Sequence, residues 1–254
     1  MLEKMHLAYY SPTYSTAKVT KYIAQNLAKE LIEHDLTKNN ISKINLSKND
    51  LVIFAAPSYG GRIPNPMPQL LENFTADNTP AIAITVYGNR DYDDTLLELT
   101  DIITKQGFVT IAAAAFIAQH SLVTDIAADR PNPQDFDQMK NFSQKILAKL
   151  EQQATFAAIT VKGNRPYKEF NTPPFTPYTT DKCINCNRCI ELCPTQAIEQ
   201  NNPYNTFADK CILCARCVRI CPTQARLLPE QPMQMLSQHL KEICQTAKQP
   251  EFFL

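Results

Sequence analysis

The sequence predicts an α/β protein: a doubly wound parallel sheet with helices on both faces, followed by a second, smaller α+β domain. Three observations predict it. Apolar, strand-like runs alternate with amphipathic helical stretches through the first 160 residues, segment 163–182 carries four prolines, and eight of the nine cysteines fall within 39 residues near the end. Strand–helix alternation of this kind argues for a parallel sheet covered on both sides. The chain has 254 residues, 44% hydrophobic and 20% charged, long enough for one large core and a small companion. The expected division is 1–160 for the sheet domain, 161–180 for a proline-rich connector and 181–254 for the cysteine domain with a C-terminal helix.

His6–Tyr10 opens as a strand, and a helix is expected over about 15–35, with Val19, Tyr22, Ile23, Leu27 and Leu31 as its apolar stripe. Residues 41–46 (ISKINL) suggest a short second strand. Leu51–Ala56 (LVIFAA) is continuously apolar, as a strand buried on both faces should be. Ala81–Tyr87 and Val109–Ala118 are two more such runs, and helices fit 65–75, 92–106 and 133–150. Pro166, Pro173, Pro174 and Pro177 then exclude regular helix and favour extended chain, either a stiff spacer or an arm packed on one domain.

Ligands of such sheets sit beyond the carboxyl ends of the strands, and three loops there stand out. After the first strand comes Ser11-Pro12-Thr13-Tyr14-Ser15-Thr16, four hydroxyls at a helix start. One or two would serve as an N-cap; four suit a phosphate, since free N–H groups and the positive dipole end both face an anion there. After LVIFAA come Pro57-Ser58-Tyr59-Gly60-Gly61-Arg62, with two of the five glycines. Gly88-Asn89-Arg90-Asp91-Tyr92 follows the third long strand. Glycine admits close approach of backbone to ligand and a tyrosine can stack on a planar ring, although each loop could equally be a plain turn.

Together these loops resemble the flavodoxin fold and its flavin mononucleotide (FMN) site, over roughly residues 4–150. The first loop matches the phosphate pattern S-x-T-x-[ST]-T, with Tyr14 standing where flavodoxins usually carry glycine. The resemblance implies that Ser11, Thr13, Ser15 and Thr16 hold the phosphate. It implies that Pro57, Ser58, Tyr59 and Gly60 form the second loop against the ring, and Gly88, Asn89, Asp91 and Tyr92 the third. Tyr59 and Tyr92 would then cover the ring.

The cysteines follow C-x2-C-x2-C-x3-C-P twice, at a constant offset of 28. Aligning 181–198 on 209–226 gives 12 identities in 18 positions, an internal duplication. Three thiolates two residues apart can grip one iron cubane from a tight loop. The fourth, fixed before a proline, ligates the other cluster in this pattern. One [4Fe–4S] cluster is therefore assigned to Cys183, Cys186, Cys189 and Cys221, the other to Cys211, Cys214, Cys217 and Cys193. Zinc would use two pairs with a longer gap between them. The segment 179–227 resembles the bacterial two-cluster ferredoxins. Lys182, Arg188, Lys210, Arg216 and Arg219 lie nearby in sequence and read mostly as a solvated face. Cys244 falls among Met235, Leu236, Leu240 and Ile243 at helical spacing and reads as a small apolar residue rather than a ligand.

The formal net charge is +0, which gives no electrostatic case for nucleic acid or a membrane surface. The N-terminus lacks a signal-peptide pattern, and the longest apolar run, Ile111–Ala118, is far short of the ~20 residues of a membrane span. A cytoplasmic location with reduced thiols is expected. Neither G-x-G-x-x-G nor G-x-x-x-x-G-K-[ST] occurs. His6, His34, His120 and His239 accompany no nucleophile motif, and no catalytic residue is assigned.

The order of the parts is similar to that of flavodoxin–ferredoxin fusion proteins, which are widespread among anaerobic bacteria and archaea. It implies electron transfer between two [4Fe–4S] clusters and FMN, with redox proteins as donors or acceptors and a homodimer as one possible assembly. The expected path runs from an external donor through the clusters to flavin and an acceptor, or the reverse. Two other readings stay open. One is a flavin-dependent reductase of a small molecule, with Arg62, Asn89 and Arg90 as polar groups. The other is an FMN-free ferredoxin whose front domain docks partners.

Overall fold

The computed structural model describes residues 1–38, 40–152, 155–170 and 174–254. In chain order the elements are β1 (Leu2–Tyr9), α1 (Ser15–Gln25), β2 (Ala28–Asp35), a short 3-10 turn, β3 (Ile44–Leu46), β4 (Val52–Pro57), α2 (Pro66–Leu71), β5 (Phe74–Ala76), β6 (Thr79–Tyr87), α3 (Thr95–Lys105), β7 (Phe108–Ile117) and α4 (Pro133–Gln152). After the connector come β8 (Tyr178–Thr179), α5 (Arg188–Glu191), α6 (Arg216–Arg219), β9 (Arg226–Leu227), α7 (Glu230–Ile243) and β10 (Glu251–Phe253).

The main sheet runs β10-β7-β6-β4-β1-β2. Every pair among β2, β1, β4, β6 and β7 is parallel, and β10 alone is antiparallel. The three apolar runs form β4, β6 and β7 in its middle and are buried almost throughout, because helices cover both faces. One face packs Val52, Phe54 and Ala83 with α2 and α3; the other packs Ile53, Ile82 and Ile84 with α1 and α4. This is the flavodoxin-like doubly wound sheet that the sequence predicts, carrying an extra edge strand.

Expectations are corrected in three places. The helix expected over 15–35 ends at Gln25, and 28–35 is β2, the second strand of the main sheet. β2 pairs on one side only, so its outward residues are polar, and Lys-Glu-Leu-Ile-Glu-His mimics the face of a helix. The strand expected at 41–46 is the shorter β3, which pairs with β5 in a separate two-stranded sheet. That pairing also shortens the helix expected over 65–75 to Pro66–Leu71.

The third concerns the chain's end. β10 pairs with β7, so the last residues of the span 181–254 lie in the sheet of the first domain. Phe252 stacks on Phe142 at 5.1 Å between ring centres and tilts against Phe116 at 5.6 Å. Asn89 donates from Nδ2 to the carbonyls of Cys244 and Thr246 and accepts from the Lys248 amide. On α7, Leu236, Leu240 and Cys244 pack toward Val123 and Ile126, while Met235 and Ile243 of the expected stripe are exposed.

The connector is an arm packed on the first domain as far as Lys168. Asp94 accepts from the backbone N–H groups of Asn164 and Lys168, at 2.7 Å each, and Asp101 holds Arg165 and Tyr167. Arg62, bidentate on Glu98, donates to the Lys168 carbonyl and covers the Tyr167 ring. Pro173, one of the prolines that define the connector in sequence, lies outside the described residues. Among the described residues no helix is long and apolar enough to cross a membrane.

Candidate functional site

Two loop systems meet at the carboxyl edge of the sheet. Tyr14 precedes α1 with φ 68, in the left-handed region, so this is the position at which glycine is unstrained and a side chain is not. Tyr14 itself makes no side-chain cap to α1. Ser11 is held in place by its amide, which donates to Thr37 Oγ1 at 2.7 Å, and its hydroxyl accepts from the Ala17 amide at 3.0 Å. Ser11, Pro12, Thr13, Ser15 and Thr16 line one small cavity together with Pro57, Ser58, Tyr59 and Gly88. An eleven-residue helix whose first turn faces a hydroxyl-lined cavity, with the Ser11 hydroxyl taking up the Ala17 amide, fits a phosphate.

The second loop turns tightly. Tyr59 and Arg62 exchange backbone hydrogen bonds across Gly60 and Gly61, both at positive φ (60 and 92). Ser58, Tyr59 and Gly88 pass from the first cavity into an adjoining one of about 200 Å³, where Gly60 joins them. Of the third loop, Gly88 and Asp91 line this space. Asn89 and Tyr92 do not: Asn89 clamps the C-terminal segment, and Tyr92, buried against Tyr87, donates its hydroxyl to Glu251. Of the polar groups considered for a reductase, Arg62 is tied to Glu98 and Asn89 to the C-terminal segment, leaving Arg90 at the cavity, paired with Asp93.

The loop after β7, which the sequence did not single out, supplies a further wall. His120 and Ser121 line both cavities. A Cβ on Gly88 would come 2.4 Å from the His120 ring, so glycine there makes room for the imidazole. His120 Nδ1 accepts from the Leu122 and Val123 amides. Burial, then the nearby Arg90, lowers its pKa to about 4, so the ring is neutral and its proton is assigned to Nε2.

The cysteine segments form two cavities. One is lined by Cys193, Cys211, Cys214 and Cys217, the other by Cys183, Cys186, Cys189 and Cys221. The two repeats fold alike. Asn185 and Asn187 in the first, Leu213 and Ala215 in the second, all adopt positive φ between successive cysteines, curling each loop so that its three thiols line one cavity. The Ala197 amide donates to Cys193 Sγ at 3.3 Å and the Ala225 amide to Cys221 Sγ at 3.1 Å. Among the described residues no three His, Cys, Asp or Glu groups converge as on a single metal ion. Four thiols lining one cavity, twice over, are the donor set of a [4Fe–4S] cluster. Burial pushes the Cys189, Cys211 and Cys217 thiols up, and Arg226 counteracts it at all three.

Arg216, expected on a solvated face, is 7% exposed. It donates from Nη1 to the Pro12 carbonyl and lies over the Tyr14 ring, 5.3 Å from its centre. Lys182, Arg188, Lys210 and Arg219 are exposed as expected. Ile212 and Leu213, inside the second cysteine loop, line the 200 Å³ cavity opposite Tyr59 and Gly88. Burial pushes the Tyr59 hydroxyl well above its ordinary pKa, and Cys214 and Tyr10 add to the shift.

Comparison with known proteins agrees with this geometry. Residues 6–95 match the model of a flavodoxin domain and residues 178–227 that of a 4Fe-4S dicluster domain. Among solved structures, flavodoxin 1 from Bacillus cereus is 13% identical and aligns over 57% of this chain and 98% of its own, with a TM-score of 0.44. The Fusobacterium nucleatum flavodoxin bound to flavin mononucleotide is 14% identical over 58% of this chain and 99% of its own, with a TM-score of 0.41. No curated protein matches the chain in sequence. A flavodoxin domain implies FMN and a dicluster domain implies two 4Fe–4S clusters, which supports electron transfer involving a flavin and iron–sulfur centres. The chain thus carries a flavodoxin domain followed by a 4Fe–4S dicluster domain, an order consistent with a flavodoxin–ferredoxin fusion.

Proposed function

We propose that the protein relays electrons between a redox partner at its outer cysteine set and FMN at the strand tips, the inner set lying between them. Bound clusters would supply single-electron steps and the flavin one- or two-electron chemistry. The observation that carries the order is the position of the second cysteine loop. Ile212 and Leu213 line the cavity shared with Tyr59, Gly60 and Gly88, and Cys214 is buried in the same apolar cluster as Tyr10. None of the outer set is buried, and Cys186 is exposed.

In this reading Cys193, Cys211, Cys214 and Cys217 hold the inner cluster, and Cys183, Cys186, Cys189 and Cys221 the outer one. Ser11, Thr13, Ser15 and Thr16 hold the phosphate, and Pro57, Ser58, Tyr59, Gly60, Gly88, Asp91 and His120 surround the rest of the FMN. Two arms fix the cluster unit, about 178–227, over this site. The connector is pinned through Asp94 and Asp101, and the C-terminal segment through Asn89 and β10. Such tethering holds donor and acceptor sites at one distance instead of relying on diffusional encounter.

The test is Cys193→Ala in anaerobically prepared protein, with a reduced bacterial two-cluster ferredoxin as donor. The paramagnetic signal of the inner cluster should disappear or change, the outer signal should persist, and flavin reduction by the donor should be lost while dithionite still reduces the flavin. Loss of the outer signal alone, or undiminished flavin reduction, would overturn this order.

A further inference from the structure

We infer that Arg226 is a fixed positive charge shared by the two cluster sites, which raises the reduction potential of both. The inference rests on the reading that each cysteine cavity holds a cluster. Arg226 lines both cavities, the one shared with Cys183, Cys186, Cys189 and Cys221 and the one shared with Cys193, Cys211, Cys214 and Cys217. It is 2% exposed and among the largest fully buried side chains of the described residues.

Its hydrogen-bond partners carry no formal negative charge of their own. Nη1 donates to the Pro203 carbonyl and Thr179 Oγ1, at 2.7 Å each, and Nη2 to Thr206 Oγ1 at 2.9 Å. Nη2 also lies 3.9 Å from Cys217 Sγ, and among the described residues Nε has no partner. A guanidinium buried without a carboxylate is costly unless another anion faces it. The two thiolate-ligated clusters are the anions this position would face, and the unpartnered Nε is left free for sulfur.

The duplication shows that the charge is not a requirement of the repeat. Arg226 corresponds to Ile198 in the first copy, which is also buried but lines only the inner cavity. The apolar residue therefore suffices for packing in one repeat, and the second repeat replaces it with a cation at the point where both sites are within reach. Reduction adds negative charge to a cluster, so a nearby fixed cation stabilises the reduced form more than the oxidised one.

The experiment compares wild type, Arg226→Gln and Arg226→Lys as full-length, cluster-loaded protein, titrated anaerobically with the paramagnetic signal of each cluster followed separately. Arg226→Gln should shift both reduction equilibria about tenfold toward the oxidised form, ~59 mV for a one-electron couple, and Arg226→Lys should stay near wild type. Unchanged potentials in Arg226→Gln, or a shift of one cluster alone, would overturn the inference. If Arg226→Gln fails to take up iron, wild-type protein labelled with guanidino-15N arginine decides. Nitrogen coupling to both reduced clusters that is lost in equally labelled Arg226→Lys supports the shared charge, since Arg188 and Arg216 also line one cavity each, and coupling unchanged in Arg226→Lys, or absent at the outer cluster, overturns it. Wild-type protein lacking iron and sulfide would instead refute the underlying cluster reading, and the inference with it.

Discussion

Arg216 Nη1 donates to the carbonyl of Pro12 at 3.1 Å, joining the second cysteine loop to the phosphate-type loop of the first domain. The same guanidinium covers Tyr14, whose left-handed backbone would be relaxed by glycine. The position where the chain departs from the flavodoxin pattern is thus also the position where the two domains touch. A residue two places from one cysteine and one from another is held by the flavin-type domain, which ties the inner site's geometry to that loop.

Arg216→Ala should therefore loosen the cluster unit from the first domain. Losing a charge-assisted hydrogen bond and the stacking on Tyr14 costs about 1.5–3 kcal/mol. Iron and flavin contents should stay at wild-type levels while flavin reduction by an external donor slows and proteolysis of the 171–180 region speeds up. Donor-driven reduction at the wild-type rate would show that this contact does not set the domain arrangement.

A double variant, Thr13→Val with Thr16→Val, keeps side-chain shape and removes two hydroxyls from the cavity at the start of α1. Each hydrogen bond to an anion contributes about 1.5–3 kcal/mol, so FMN affinity should fall roughly tenfold or more per hydroxyl engaged. Fluorescence titration of flavin-free protein measures it, with circular dichroism as the check on folding. Unchanged affinity would place the phosphate elsewhere.

The parts legible in the sequence are those whose physics is local or strictly spaced. Cluster ligation demands fixed cysteine intervals, so two sets that exchange their fourth residue are expected from the sequence, and the two cavities group the same cysteines. Strands buried on both faces are uniformly apolar, so β4, β6 and β7 were plain. Edge strands escaped: β2 is polar on its open side, and β10 is three residues whose partner lies far upstream. The arginines were ambiguous because proximity in sequence to a cysteine says nothing of which face a side chain takes. Arg216 is buried and Arg188, its counterpart in the first repeat, is exposed. Arg226 was detectable, since it is the one place in the shared CPTQA-x run where the copies differ, Ile against Arg. Asn89 and Tyr92 look like ring-flanking residues, but their partners, in the C-terminal segment, cannot be located from the loop alone.

Phe252→Ala tests the return of the chain to the first domain. The half-buried ring packs on Phe116 and Phe142, so its loss should cost about 2–3 kcal/mol, below the full range for a buried phenylalanine. The flavodoxin domain should unfold at lower denaturant, read from its flavin absorbance, although the substituted residue lies beyond both cysteine runs. A flavodoxin-domain midpoint equal to wild type would assign β10 no stabilising role there.

Acid sensitivity follows from His120. Its folded pKa, lowered to about 4 chiefly by burial, lies below the ordinary value of 6.5. Between those values the unfolded chain binds more protons than the folded one, so stability rises with pH across that window and is lost as pH falls from 6.5 toward 4. His6 and His34, stacked with ring nitrogens 3.0 Å apart, are also lowered by burial and act in the same direction. His120→Asn keeps an acceptor for the Leu122 and Val123 amides but cannot take up the proton. Its unfolding midpoint should therefore fall less than that of wild type between about pH 7 and about pH 5, the slope that remains coming from the His6–His34 pair and, toward the acid end, from carboxylates held low such as Glu33. Parallel pH profiles for the two proteins would mean that His120 is protonated in the folded state as readily as in the unfolded chain, and the neutral ring at the flavin-type cavity would have to be abandoned.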